Sequence, residues 1–353
     1  MDFPRYAKRF LTLVLVDCML LPSAALANPA GGVVHGGIAT ITGQGTSTVN
    51  VDQRSQNAML SWQSFNIQPG EVTNFHQPNA KSVAINRILD GQASQILGGL
   101  NANGHVYLIN PNGILFGHDS VVNVGSLTAA ASVKAGDLLV FGNGFDASAT
   151  AAPGAKIENQ GTIRTQEGGF VYLVAPQVEN GKSGVIISPK GEVTLAAGAT
   201  VYLTDRADGL GVAIQYTAPG GSGDAAVNLG QVVADGGMVR MRADLVRQSG
   251  IIEATAVREQ GGRIELVADS GLTLDDGSVT AATGGDGVGP GGTVVAKSEG
   301  DATVASASII DVSGGSEGGA GGSVEVSGKG AVALSGTMRA EGHAGAAGGK
   351  VVV

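Results

Sequence analysis

The sequence predicts an all-β chain wound as a β-solenoid, and three observations carry that reading. Apolar residues come in short alternating runs rather than at helical spacing, as in Val239-Arg240-Met241, Ile264-Glu265-Leu266-Val267 and Val324-Glu325-Val326. A Gly-Gly pair followed by x-Val or x-Ile recurs at Gly236, Gly261, Gly291, Gly321 and Gly348, at intervals of 25, 30, 30 and 27 residues. Glycine fills 58 of 353 positions while aromatic residues are only 4%. A repeat of this length, built of strands and turns, forms coils that stack so that each strand pairs with its equivalent in the next coil. A narrow interior takes Val, Ile, Leu and Ala and excludes most rings, and glycine suits corners that need positive φ. Residues 28–353, at roughly 27 per coil, supply about a dozen coils.

Composition removes several classes. Hydrophobic residues at 43% can fill a core, which argues against a disordered chain, and no Gly-X-Y period points to collagen. The balance of 21 basic and 30 acidic residues gives a net charge of −9, with no basic cluster, so no nucleic-acid partner is expected. A β-sandwich array is the alternative architecture, but the Gly-Gly units recur without the Trp and Cys marks of sandwich cores. For residues 284–353 a flexible Gly-rich tail is the alternative, against which the alternating valines persist.

Residues 1–27 read as a secretory signal peptide. Arg5, Lys8 and Arg9 make the basic start, residues 10–21 the apolar core, and Ala25-Leu26-Ala27 a cleavage site before Asn28. The apolar run falls short of the ~20 residues a spanning helix needs, so no membrane span is expected once the signal is removed. Cys18, the only cysteine, leaves with the signal, and Asp17 before it argues against lipidation.

Residues 28–132 differ in texture from the rest: Asn is common and the distinctive residues gather there, and a front domain of residues 28–145 followed by continuing β-helical repeats over 146–353 is expected. Trp62, Phe65, Phe75 and Phe116 are expected to plug the first coil as an N-terminal cap; for Trp62 a carbohydrate-stacking role is the alternative, which needs an exposed ring. Asn110-Pro111-Asn112-Gly113-Ile114 has turn chemistry, with Pro111 fixing φ, Asn110 and Asn112 bonding nearby backbone, and Gly113 tolerating positive φ. Arg87, after Asn86, is expected to pair with Asp90 or to bond a corner. Beyond residue 146 a second unit, Gly-x-Ile/Val-x-Ala, appears at Gly230, Gly250, Gly277 and Gly336. The sequence closes on Lys350-Val351-Val352-Val353, the opening of another strand without a cap, from which a continuing rod truncated at the C-terminus is expected.

The N-terminal block resembles the secretion domain of two-partner-secretion exoproteins, the filamentous-haemagglutinin N-terminal or haemagglutination-activity family. The residues that carry the resemblance are Trp62-Gln63-Ser64-Phe65-Asn66-Ile67, Val83-Ala84-Ile85-Asn86-Arg87-Ile88 and above all Asn110-Pro111-Asn112-Gly113-Ile114, with Gly168-Gly169-Phe170-Val171-Tyr172-Leu173-Val174 and Val193-Thr194-Leu195 following in order. Ala58-Met59-Leu60-Ser61-Trp62 looks closer to the high-molecular-weight adhesin and haem-acquisition branch. The resemblance implies a right-handed parallel β-helix, secretion to the cell surface or medium by way of the periplasm, and recognition by a dedicated outer-membrane transporter with POTRA domains. It implies that Asn110, Pro111, Asn112, Gly113 and Ile114, and also Asn86 and Arg87, are candidate transporter contacts, beside the turn and corner roles read from the residues themselves. A host-cell or surface receptor is the further partner it suggests.

Site chemistry is sparse. None of His35, His76, His105, His118 and His343 stands at metal-ligand spacing with Cys or acidic partners, so no metal or cofactor is expected. Asp275-Asp276 precedes Gly277 and reads as a turn, and no Gly-x-Ser-x-Gly stands in a strand-turn-helix context, so serine hydrolysis has no support. The expected function is a non-enzymatic secreted exoprotein, adhesin-like, whose front domain directs export. The alternatives are a haem or haem-carrier binding exoprotein and a β-helical polysaccharide-degrading enzyme; the last needs clustered Asp, Arg or Lys, which the sequence lacks.

Overall fold

The computed structural model describes residues 28–135, 146–206, 209–216, 223–257 and 261–353. The expected signal segment, with Cys18 and Ala27, lies outside the described residues. Those described form strands and no helix, wound as a parallel β-helix. One sheet of twelve strands takes one strand from each coil, from Ala39–Thr42 to Thr337–Arg339. Its first pair is antiparallel and the remaining steps are parallel. Eleven parallel strands at about 4.8 Å each span roughly 50 Å, close to the dozen coils expected.

The nineteen-stranded sheet contains the other two sides of each coil. One side stacks Asn57–Trp62, Val83–Ile88, His105–Ile109, Ser126–Ala130, Phe170–Ala175 and Glu192–Ala197. The other stacks Ser94–Ile96, Gly113–Phe116, Lys156–Asn159, Gln177–Asn180 and Ala225–Asn228. At Met238–Gln248 the two sides fuse into one long strand, and the register shift between Ala243 and Leu245 against Arg263–Leu274 marks the bend. Pairing of Gly113–Phe116 with Lys156–Asn159 carries the stack across residue 145 without interruption.

The first coil is closed by an antiparallel cap, in which Val33–Gly36 pairs with Asn57–Trp62 and Ala39–Thr42 with Thr48–Gln53. That arrangement covers an edge that would otherwise recruit another strand. Trp62, Phe65 and Phe75 fill the end as expected, Trp62 meeting Phe65 edge-on at 5.4 Å. Phe116 lies further along, stacked on Ile96 within the rod. The Trp62 ring is 0% exposed and its Nε1 donates to Asn86 Oδ1 at 2.9 Å, which removes the carbohydrate-stacking alternative for this residue.

Two expectations about the repeat need correction. The second glycine of each pair does not serve a positive-φ corner. A Cβ at Gly237, Gly292, Gly322 or Gly349 would sit 2.1, 2.1, 2.0 or 2.0 Å from a glycine carbonyl oxygen of the preceding coil. Backbone rests on backbone there, so no side chain fits. The second correction is one of register. Ile251 pairs with Val279, so Ser278, not Gly277, is the equivalent of Gly250, and Thr280 rather than Val279 faces inward. The following coil, Ile309–Asp311, has Ser308 at that corner and therefore shows no Gly-x-Ile-x-Ala pattern at all.

The interior is not wholly apolar. At equivalent positions of successive coils, Asn159 donates to Asn180, Asn180 to Asn228 and Asn228 to Gln248, each at 2.8 Å and each fully buried. Gln248 Nε2 then donates to the Gly250 and Val279 carbonyls at 3.0 Å, which completes the ladder.

Outside the rod, a hairpin of Ala199–Arg206 and Gly209–Tyr216, joined by Val133–Ala135, lies over one side. It shields Met59, Ile85, Tyr107 and Ile109, which point away from the interior. Strands there are buried on both faces, which is why apolar residues occupy adjacent positions, as in Val83-Ala84-Ile85 and Val106-Tyr107-Leu108-Ile109, rather than strictly alternating.

Gly322→Val is expected to lower stability by about 3 kcal/mol, through forced separation of two coils. Gly277→Ala, at φ +78° with open space around it, should cost only about 1–2 kcal/mol. Denaturant midpoints of the two variants check the order. Asn180→Leu is expected to destabilise by about 2 kcal/mol despite added apolar bulk, because the amides of Asn159 and Asn228 lose their partner inside the core; thermal unfolding measures it.

Candidate functional site

The Asn110 motif joins His105–Ile109 to Gly113–Phe116 and forms a closed turn. The Gly113 N–H donates to the Asn110 carbonyl at 3.0 Å, and the Asn112 N–H to Asn110 Oδ1 at 2.9 Å. Gly113 has φ +102°, and a Cβ there would lie 2.2 Å from the Lys156 carbonyl. Asn110 is fully buried: its Nδ2 donates to the Gln92 carbonyl and to Ser94 Oγ, both at 3.0 Å. Asn112 Nδ2 donates to the Asp90 carbonyl at 2.8 Å, and the Pro111 carbonyl accepts from the Ala152 N–H at 2.8 Å. Ile114 points into the core. The turn thereby ties the residue 90–94 loop to the backbone at Ala152.

Asn86 is likewise interior. Its Oδ1 holds Trp62, and its Nδ2 donates to the Ala84 and Tyr107 carbonyls at 3.2 Å. Arg87 bonds the carbonyl of Asp146 and does not pair with Asp90, whose Oδ1 instead accepts the Gln92 N–H at 3.2 Å. Asn28, at the expected cleavage point, is buried in the cap, where its Nδ2 donates to the Thr46 carbonyl at 2.8 Å and its Oδ1 accepts from Thr73 at 3.2 Å. Asn86 and Asn110 are thus buried with their side-chain amides bonded within the fold, whereas Arg87, Pro111 and Asn112 are only half-buried.

Outward charges are paired along the rod. Arg240 bridges Glu192 at 3.1 Å and Glu265 at 2.9 Å, and Arg263 reaches Glu265 at 2.6 Å. Burial opposes ionisation of Glu265, but hydrogen bonds from the two arginines hold its carboxyl below the usual range. Asp275 and Asp276 form the expected turn, capped by the Ser278 N–H on the Asp275 carbonyl. Among the described residues no three His, Cys, Asp or Glu side chains gather as metal ligands.

Sequence reasoning missed a surface feature. His105 and Phe170 stand on coils separated by the small Ser126, and their rings meet edge-on at 5.2 Å, with Phe170 stacked on Tyr172 at 4.5 Å. They line a cleft of about 490 Å³ with Lys81, Gln166 and Glu167. Burial lowers the pKa of His105, and burial, with Tyr172 adding to it, raises that of Tyr107 beneath the hairpin. The only sequence signal for the cleft is the unequal length of the corners between strands.

The TPS secretion domain profile matches residues 25–281. The Heme/hemopexin-binding protein of Haemophilus influenzae strain Rd is 32% identical over 170 residues, 41% of this chain and 19% of that protein. A second Heme/hemopexin-binding protein from Haemophilus influenzae is 42% identical over 93 residues, 26% of this chain and 10% of that protein. The chain therefore matches a fifth or less of the length of these relatives. The crystal structure of the HMW1 secretion domain from Haemophilus influenzae superimposes with a TM-score of 0.73 at 27% identity, covering 92% of this chain and 94% of that one. The expected likeness to the adhesin and haem-acquisition branch holds. With the capped parallel helix and the buried Asn110 turn inside the matched span, the chain belongs to the TPS secretion domain family.

Proposed function

We propose that this chain is the export-directing front of a non-enzymatic exoprotein, handed across the periplasm to a cognate outer-membrane transporter with POTRA domains and wound into its rod outside the cell. The observation that carries the reading is the family match over residues 25–281, laid on a helix whose coils pair without a break. Each finished coil presents an open parallel edge to the next, so sheet addition at the exterior can bias movement outward without nucleotide. The rod beyond serves adhesion to a host-cell or other surface receptor.

In this reading Asn110, Pro111, Asn112, Gly113, Ile114, Asn86 and Arg87 act before their coils close. Their polar groups reach a transporter in the unwound chain and are withdrawn into the fold once it forms, which favours release. A second reading, haem or haem-carrier binding, is favoured by the names of the two Haemophilus influenzae relatives.

Co-expression with the cognate transporter in a Gram-negative host should deliver the chain to the medium, and retention in the periplasm with the transporter present would overturn the export reading. Asn110→Ala should lower the unfolding free energy by about 2 kcal/mol, from three lost hydrogen bonds in a buried turn, and should also weaken capture of the urea-unfolded chain by the immobilised periplasmic part of the transporter. Unchanged capture would confine the motif to a folding role. For the second reading, hemin added to the full chain should produce a saturable shift of its Soret band; a spectrum equal to that of free hemin removes it.

A further inference from the structure

The cleft beside His105 is made by the lengths of four successive corners on one edge of the rod. Residues 77–82 and 166–169 protrude, whereas between them the corners are residues 103–104 and Gly125 alone. The short corners cannot grow side chains: a Cβ at Gly104 would lie 2.6 Å from the Ser82 carbonyl, and one at Gly125 would lie 2.7 Å from that of Gly104. A notch two coils wide results, with Lys81 on one wall, Gln166 and Glu167 on the other, and His105, Ser126 and Phe170 on the floor. Its volume of about 490 Å³ suits a small ligand.

Backbone groups of the floor are already used. The His105 N–H donates to the Ser82 carbonyl at 2.8 Å, that of Gly125 to Gly104 at 2.9 Å, and that of Phe170 to Ser126 Oγ at 3.1 Å. A peptide strand therefore finds no edge to pair with. The side chains are in the opposite condition. Lys81 is exposed and has no ion pair among the described residues, and neither ring nitrogen of His105 has a hydrogen-bond partner among them. Glu167 keeps one oxygen free while the other meets Lys190 at 2.6 Å. Gln166 holds the Asn103 carbonyl at 3.5 Å, which leaves its Oε1 free. With one unpaired cation, the notch is too weakly charged for nucleic acid. A single half-buried phenyl ring between convergent amide, carboxylate and ammonium groups matches a ligand with one apolar face and a hydroxylated rim.

We propose that the notch is a saccharide site, which seats one pyranose with its C–H face against Phe170 and its hydroxyls on Lys81, Gln166 and Glu167. The site lies on the finished rod and is independent of the export reading.

The test is saturation-transfer NMR on the full chain with methyl glycosides of glucose, galactose, mannose and N-acetylglucosamine, and with glucuronic acid. At least one probe should receive transfer at its ring C–H protons. Phe170→Ala and Gln166→Ala should each weaken that probe about tenfold, the loss of one stacking face or of one bonded amide; Gln166→Ala, at an exposed position, leaves the unfolding midpoint unchanged, and Phe170→Ala, which also gives up its ring contacts with Tyr172 and His105, is measured at a temperature where it stays folded. No transfer to any probe, or transfer that both variants leave intact, would overturn the proposal. So would hemin binding that His105→Ala abolishes in a chain that takes no sugar, since the notch would then belong to a flat macrocycle.

Discussion

Everything in this molecule depends on the fixed spacing of about 4.8 Å at which one coil lies on the next. At the corners that spacing leaves no room for a Cβ, and the glycine columns through Gly237, Gly292, Gly322 and Gly349 are the result. Along the strands it places equivalent positions directly above one another, so that each side chain must fit the one above and below it in its column. Inside, Val, Ile and Leu do so by shape. Where an amide occurs, as at Asn159, it must be followed by another that can accept its hydrogen bond, and the run through Asn180, Asn228 and Gln248 satisfies this until the Gly250 and Val279 carbonyls end it. The ladder also fixes register, because a one-residue slip would bury unpaired amides.

The ends and sides of the rod answer to the same constraint. A stack of parallel strands always has an unpaired edge, and the antiparallel cap with Trp62 and Phe65 closes the first one. The hairpin over Met59, Ile85 and Tyr107 adds a second apolar layer against one side, so the N-terminal coils are held from within and from without. This doubly packed region coincides with the part of the chain that is richest in family motifs. Asn86 and the Asn110 turn lie in it as buried connectors, linking cap, loops and the segment after residue 146. Motifs singled out by residue type as possible contacts are thus, in the finished fold, parts of its internal bonding. A transporter that acts on this chain meets them before winding or meets a surface that they shape.

Several readings from sequence met the structure unequally. Alternating valines and the Gly-Gly spacing located the strands of the second half closely, because each inward position there faces only its own column. The copy at Gly277 misled by one residue, since Ser278 occupies a glycine corner and the motif glycine is merely its neighbour. The coil at Ile309–Asp311 was invisible for the same reason. Trp62 could be read as plug or platform until its burial decided the matter, and of the two roles open to Arg87, an ion pair with Asp90 or a bonded corner, the first is not made, since Arg87 bonds a backbone carbonyl 59 residues on.

By itself the sequence determined the all-β class, the coil repeat, the aromatic cap and the family, because these follow from local periodicity and from short motifs whose chemistry is carried by adjacent residues. Tertiary structure alone decided which apolar runs were covered on their outer face, where the buried amides met, and that corners of unequal length leave a notch between Lys81 and Phe170. The physical reason is that neighbours across coils are tens of residues apart in the chain. Alternation tells each residue whether it points in or out, but only the stacking tells it what it will touch.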